Sequence, residues 1–271
     1  MTIFSAENYK PNRKIIPPLM TIYGSVGIGK STFAAGFPKA FFFDFEVRTM
    51  HIKGIVRDSD YGIDILSLQN WGQLIDAIKE LATTDFETIV FDGITKLQNF
   101  VWEEVGRQLN HPNPRTMPYG VGYARAGELF ASLMFVAKEL QNKHKKTIIF
   151  IDHEKVKEED SSVVNSQSLT KYYPECMSGI SRILIKESDY IFRLTEDITI
   201  IEDKKTGDTR AIFNNLVLHT DRKCNLEAEL KSSLPLPPKI KATYADFRAE
   251  YKIAYQKIHE DQKDNRQELA S

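Results

Sequence analysis

The chain has 271 residues, 42% of them hydrophobic and 27% charged, with a formal net charge of −1. This favours one substantial core with small appendages over two full domains, and it argues against a disordered chain. No apolar run reaches the roughly 18 residues a membrane-spanning helix needs, and the near-zero charge excludes a globally basic nucleic-acid coat, so any such contact must come from local patches.

Residues 1–17 are polar and proline-interrupted, and read as an irregular leader. Leu19 to Tyr23 is the first predicted strand, and Ser31 to Gly36 opens a helix after a glycine turn. Ala40 to Phe43 is an aromatic run too short for a helix, and Asp64 to Leu68 suggests another short strand. The spacing of Leu74, Ile75, Ile78 and Leu81 predicts a helix over 71–81. Thr88 to Phe91 is a strand ending in Asp92, and Thr147 to Ile151 a strand ending in Asp152 and His153. Between them Gln108 to Gly122, rich in Pro, Asn and Gly, reads as a long loop, and Glu128 to Leu140 as an amphipathic helix. Such alternation implies an α/β fold, a mainly parallel sheet flanked by helices. Tyr190 to Leu194, Ile198 to Glu202 and Arg210 to Leu218 look extended, with a hairpin turn at Lys204 to Asp208, so an antiparallel C-terminal extension is expected. Pro235 to Pro238 reads as a stiff linker before a charged helix over 244–258 and a polar tail. The division is therefore a leader at 1–17, a core at 18–234, and a linker with helical tail at 235–271.

The chemistry concentrates at Gly24, Ser25, Val26, Gly27, Ile28, Gly29, Lys30, Ser31 and Thr32. The segment fits the phosphate-binding pattern G-x-x-x-x-G-K-[ST] in the required setting between a strand and a helix. Glycines let successive backbone N–H groups approach a polyphosphate, and Lys30, expected to lie exposed at the cradle, adds a charge for the β- and γ-phosphates. The Ser31 hydroxyl is a ligand for Mg²⁺, with Asp92 as the strand-end carboxylate that holds the same ion. ATP and Mg²⁺ are the expected ligands. The residue after Asp92 is Gly93 rather than a glutamate, so the base that activates water must come from elsewhere; Glu46, at the end of the next strand, reaches the same sheet edge. His153 ends a third strand there and is placed to sense the terminal phosphate. His51, His111, His144, His219 and His259 show no ligand pattern and read as surface residues. Cys176 and Cys224 lack metal-ligand spacing and read as free thiols.

In order, Gly24 to Ser31, Asp44-Phe-Glu46, Phe91-Asp92-Gly-Ile-Thr95 and Phe150-Ile-Asp-His153 resemble the RecA-type recombinase core. The chain is most similar to phage nucleotide-binding proteins, the RecA-like branch of the Sak single-strand annealing proteins. That resemblance, over about residues 19–230, implies a RecA-like P-loop ATPase with Glu46, Lys30 and His153 as catalytic residues. His153 departs from the glutamine of RecA, and the phage branch is similar to this chain in that position. The resemblance further implies a cytoplasmic protein that acts on single-stranded DNA by annealing or strand exchange. Its expected partners are further copies of itself, in a ring or filament, and a single-strand DNA-binding protein, with no membrane.

Loops after the Asp92 and His153 strands hold DNA in such proteins, which makes Arg107, Arg115, Tyr119, Lys155, Lys157, Lys171, Tyr172, Tyr173 and Arg182 candidates, cations interleaved with stacking aromatics. Glu158, Glu159 and Asp160 interrupt the second loop, and incidental charge on a solvated loop is the alternative reading there. Arg222 and Lys223 fall where RecA-type cores present cations to a neighbouring subunit's nucleotide. Two other readings stay open: a nucleotide-gated assembly factor such as a helicase loader, and a small-molecule P-loop phosphotransferase.

Overall fold

The computed structural model describes residues 15–62, 68, 70–160, 168–202, 209–221 and 228–270. In chain order it contains β1 (Leu19–Gly24), α1 (Lys30–Ala35), β2 (Ala40–Asp44), β3 (Val56–Arg57), α2 (Trp71–Glu80), β4 (Thr88–Asp92), α3 (Ile94–Leu109), α4 (Val121–His144), β5 (Thr147–Asp160), β6 (Ser168–Pro174), α5 (Ser178–Glu187), β7 (Tyr190–Glu202), β8 (Thr209–His219), β9 (Lys231–Ser232), β10 (Lys239–Lys241) and α6 (Tyr244–Ala270).

The strands form one sheet in the order β10-β8-β7-β1-β5-β4-β2-β3, with β6 against β5 and β9 against β7. Its centre, from β7 at residues 190–193 through β1, β5, β4 and β2 to β3, is parallel. The pairings of β8 with β7, β10 with β8, β9 with β7 and β6 with β5 are antiparallel. Helices cover both faces, which is why β1, β2 and β4 are buried at every position and read as unbroken apolar runs.

The period of two still sorts the side chains between two layers. Phe41, Phe43, Ile89, Phe91, Ile148 and Phe150 pack with α2, α3, α4 and α5. Met20, Ile22, Phe42, Val90, Ile149 and Phe192 pack with α1 and α6 on the other face. Phe43, Phe91 and Phe150 stand in register on three adjacent strands and stack with centroids 5.2 and 4.9 Å apart. The stack fixes β2, β4 and β5 level with one another, and so sets the heights of the acids that follow them.

Several expectations change. The 108–122 stretch is not one loop: α3, with Ile94, Leu97, Val101 and Val105 buried, runs to Leu109, and two short 3₁₀ turns lead into α4 at Val121. The loop expected after the His153 strand, from Lys155 to Ser181, is not one either, since β5 continues to Asp160, β6 returns beside it and α5 begins at Ser178. Contacts cross the expected boundary at 234/235: Leu236 is buried, β10 joins β8, and Phe247 of α6 packs on Phe33, Phe37 and Phe192. The end of the leader is tied down by Gln141 Nε2 donating to Pro17 O at 2.8 Å and Tyr251 Oη donating to Ile16 O at 2.7 Å. The strand expected from Asp64 and the turn at Lys204 to Asp208 fall outside the described residues, although β7 and β8 pair as that turn requires. No helix among the described residues is long and apolar enough to cross a membrane.

Candidate nucleotide site

The parallel strands bring Gly24, Asp44, Asp92 and His153 to one edge of the sheet; Gly24 registers with His153 and Asp44 with Asp92. A cleft of about 220 Å³ opens there, lined by the glycine turn together with Glu46, Arg48, His51, Ile52, Asp92 and His153. Gly29 caps α1 with φ 100°, a left-handed conformation that side-chain-bearing residues avoid, and this bend delivers Lys30 to the floor of the turn.

Lys30 is 5% exposed, not at the surface as its sequence position suggested. Its Nζ donates to Gly24 O and Ser25 O at 2.8 Å each and lies 3.3 Å from His153 Nδ1. Burial lowers its pKa, and Asp92 and Glu46 oppose that shift. The ammonium thus closes the turn on itself.

Ser31 Oγ donates to Asp92 Oδ2 at 2.5 Å. Asp92 is almost fully buried, which pushes its pKa up to about 6 against the pull of the Ser31 hydrogen bond. The hydroxyl and carboxylate oxygens are hard donors suited to Mg²⁺. Among the described residues no group of three or more His, Cys, Asp or Glu could hold a metal. An ion here would keep waters and phosphate oxygens for its other positions, the habit of Mg²⁺ rather than of a caged metal.

Glu46 Oε1 and His153 Nε2 lie 3.0 Å apart. That contact holds Glu46 below the usual carboxylate range and His153 above the usual imidazole range, with burial opposing both shifts. Gly93 explains why no glutamate follows Asp92: a Cβ there would stand 2.8 Å from Glu46 Oε1, so the glycine vacates the space the Glu46 carboxylate fills. Asp44, the neighbouring acid, is committed elsewhere. Its carboxylate accepts from Arg48 N, Thr49 N and Thr49 Oγ1 and shapes the turn that carries Glu46. Asp152, 1% exposed, accepts from Thr95 N and Oγ1 and from Cys176 N, which pins β5 to the start of α3 and to the turn before α5.

The residues expected to meet nucleic acid divide into two groups. Lys155 donates to Cys176 O at 2.6 Å, and the Tyr172 ring lies 3.5 Å under the Arg193 guanidinium, so both serve the protein interior. Arg193 also donates to Glu154, which accepts from Ser25 Oγ, and a polar chain therefore joins the glycine turn to the β5–β6 hairpin. Lys157 and Lys171 pair across that hairpin, with Lys157 Nζ 5.7 Å from the Tyr173 ring. Arg182 is exposed on α5. Arg107 is held by Glu104, Arg115 lies over Trp102 at 5.1 Å, and Tyr119 is fully exposed, all near the tip of the α3–α4 pair. Arg222, Lys223 and Cys224 lie outside the described residues; Cys176 is a free, buried thiol.

Sequence reasoning missed Arg48, His51 and Ile52 as cleft residues. Their proximity to Glu46 was the available signal, but their side chains reach the cleft only because the chain turns after that residue. His219 is not a simple surface residue: it is half-buried beside Thr195 Oγ1, and burial pushes its pKa down to about 4.

No curated protein matches the chain. Among solved structures it is similar to the RadB recombinase, with 14% sequence identity, coverage of 80% of this chain and 92% of that chain, and a TM-score of 0.38. The AAA_24 family model, described as an AAA domain, matches residues 16–222. With that match spanning β1 through β8, and with the phosphate turn, Ser31 and Asp92 assembled at one sheet edge, the chain belongs to this AAA domain family.

Proposed function

We propose that this chain is a recombination-type ATPase that binds ATP with Mg²⁺ in the cleft, hydrolyses it, and works as an oligomer on single-stranded DNA, in annealing or strand exchange. The observation that carries the reading is the convergence of Lys30, Ser31, Asp92, Glu46 and His153, drawn from four separate parts of the chain, on one cleft. The order of the RecA-type motifs along the sequence supports the recombination part, and the phage Sak-like branch is its finer form.

The glycine turn and Lys30 bind the β- and γ-phosphates; Ser31 and Asp92 would hold Mg²⁺, which would supply charge neutralisation at the phosphates. Glu46 orients a water in line with the γ-phosphorus and accepts its proton as the new O–P bond forms and the bond to the β–γ bridging oxygen breaks, leaving ADP and phosphate. His153 donates to a terminal phosphate oxygen. Since β5 continues past it into the β5–β6 hairpin, the nucleotide and the Lys157, Lys171 and Tyr173 surface lie on one strand pair.

The test is the ATPase rate of the full chain with and without single-stranded DNA, with oligomer size measured in the same samples. Stimulation by DNA together with growth of the oligomer supports the reading. ATP binding without DNA-stimulated turnover would replace it with a nucleotide-gated assembly factor.

A further inference from the structure

Resting on that ATPase reading, we infer that Arg48 is a further catalytic residue, a cation supplied by the chain's own β2–β3 turn that engages the terminal phosphate of the bound nucleotide.

The backbone carries the first part of the argument. Val47, between Glu46 and Arg48, has φ 54°. A β-branched residue in the left-handed region is strained, and such strain persists only where the surroundings over-determine it. Here they do. Val47 N donates to Asp44 O, the Asp44 carboxylate accepts from Arg48 N, Thr49 N and Thr49 Oγ1, and Phe45 N donates to Asp92 O at 2.7 Å. Arg57 then fixes Thr49 and Ile52 from below, donating to Thr49 Oγ1, Thr49 O and Ile52 O. Val47 is itself 61% exposed, so its side chain gains no packing from the distortion. What the strained turn does is aim Glu46 and Arg48 into the same cleft as Lys30 and Asp92.

The side chain carries the second part. Arg48 is 65% exposed, and Nη1 meets Glu46 Oε2 at 3.5 Å, a long contact that, among the described residues, leaves most of the guanidinium's donors able to turn elsewhere. An ion pair that exposed contributes little and is easily exchanged for a phosphate, which the guanidinium fork binds in bidentate fashion. A nucleoside triphosphate brings more negative charge than Lys30 and one Mg²⁺ balance. Arg48 lies on the Glu46 side of the cleft, where attack on the terminal phosphate occurs, and a cation there stabilises charge that develops on its oxygens. The role needs no neighbouring subunit.

The experiment measures binding of ADP and of a non-hydrolysable β,γ-imido ATP analogue, and steady-state turnover, for wild type, Arg48→Ala and Arg48→Lys in the full chain. For Arg48→Ala we expect about a tenfold loss of affinity for the analogue with ADP affinity unchanged, and turnover lower by about 10² or more. Arg48→Lys should recover part of both. An unchanged ratio of analogue to ADP affinity, or turnover within a few-fold of wild type, overturns the proposal. If Arg48 serves only to hold Glu46, Arg48→Ala shifts the acid limb of the pH–rate profile and leaves that ratio intact, which also overturns it. A wild-type chain that binds neither nucleotide instead removes the ATPase reading on which the inference rests. Because Arg48 is exposed, thermal melting should match wild type for both variants.

Discussion

Glu46 and His153, 107 residues apart in sequence, meet at 3.0 Å across the mouth of the cleft, and each shifts the titration of the other. His153 is raised, so its contribution to stability is present below its ordinary value of 6.5 and lost as pH climbs through the raised value. Glu46 is lowered, so its contribution is present above its ordinary value of 4.5 and lost as pH falls through the depressed one. The pair therefore stabilises the fold most between those two ordinary values. Glu46→Gln should lower the His153 pKa in an NMR titration, destabilise the protein most within that window, and reduce turnover by about 10² while ATP still binds. An unshifted His153 titration would show that the contact does not persist in solution.

Asp92 tests the opposite sign. Its folded pKa of about 6 lies above its ordinary value of 3.8, so the buried charge destabilises the nucleotide-free protein at neutral pH and ceases to do so as pH falls through 6. Asp92→Asn should raise stability at neutral pH by as much as about 3 kcal/mol and lose that advantage near pH 4, read by urea denaturation. The same variant should lose the tightening of ATP by Mg²⁺. Equal stability of the two proteins at neutral pH would mean the carboxylate is better solvated than its burial implies.

Gly93→Ala probes the space beneath Glu46. The added Cβ would sit 2.8 Å from Oε1, the movable end of a side chain, so the fold should survive while the carboxylate is displaced. Turnover should drop by an order of magnitude or more, with ADP and ATP affinities little changed, since a small misplacement of a catalytic group is expensive in rate. Normal turnover in this variant would remove Glu46 from the reaction.

His153→Ala addresses coupling. The glycine turn and Lys30 retain most phosphate contacts, so ATP binding should largely persist, whereas the difference in single-stranded DNA affinity between the ATP and ADP states should vanish, and reciprocally DNA should no longer tighten ATP. Fluorescence anisotropy at fixed salt reads both, and discrimination equal to wild type would make His153 a structural residue.

The phosphate turn was legible because its residues are contiguous and each is chosen by the backbone or the ligand. Glu46 and His153 were legible from the parallel sheet, whose strands run to one edge, although Glu46 lies in the turn after β2 and His153 stands where the parallel pairing of β5 ends and the strand itself continues. What escaped was set by tertiary packing. The Ile94, Leu97, Val101 and Val105 stripe was present, but the Pro, Asn and Gly after it drew attention to a loop, and charges from Lys155 to Asp160 masked a strand that keeps pairing beyond the core. The burial of Lys30 depends on where Gly24 O and Ser25 O point, and the entry of Arg48 into the cleft, beyond its nearness to Glu46, depends on the left-handed turn at Val47, a conformation a valine does not announce.

β1 stands between β5 and β7, with Gly24 beside His153 and Tyr23 beside Arg193. The strand that carries the phosphate turn is thus made well before both of its flanking strands; Ser25 and its partner Glu154 are 129 residues apart. Such distant pairings close slowly: β1 has no flanking strand until β5 has been made, and is paired on both sides only after residue 193. A fragment ending before Thr147 contains every residue from Gly24 to Thr32 and should still retain no nucleotide, which makes nucleotide retention a reporter of the assembled sheet centre rather than of the turn alone.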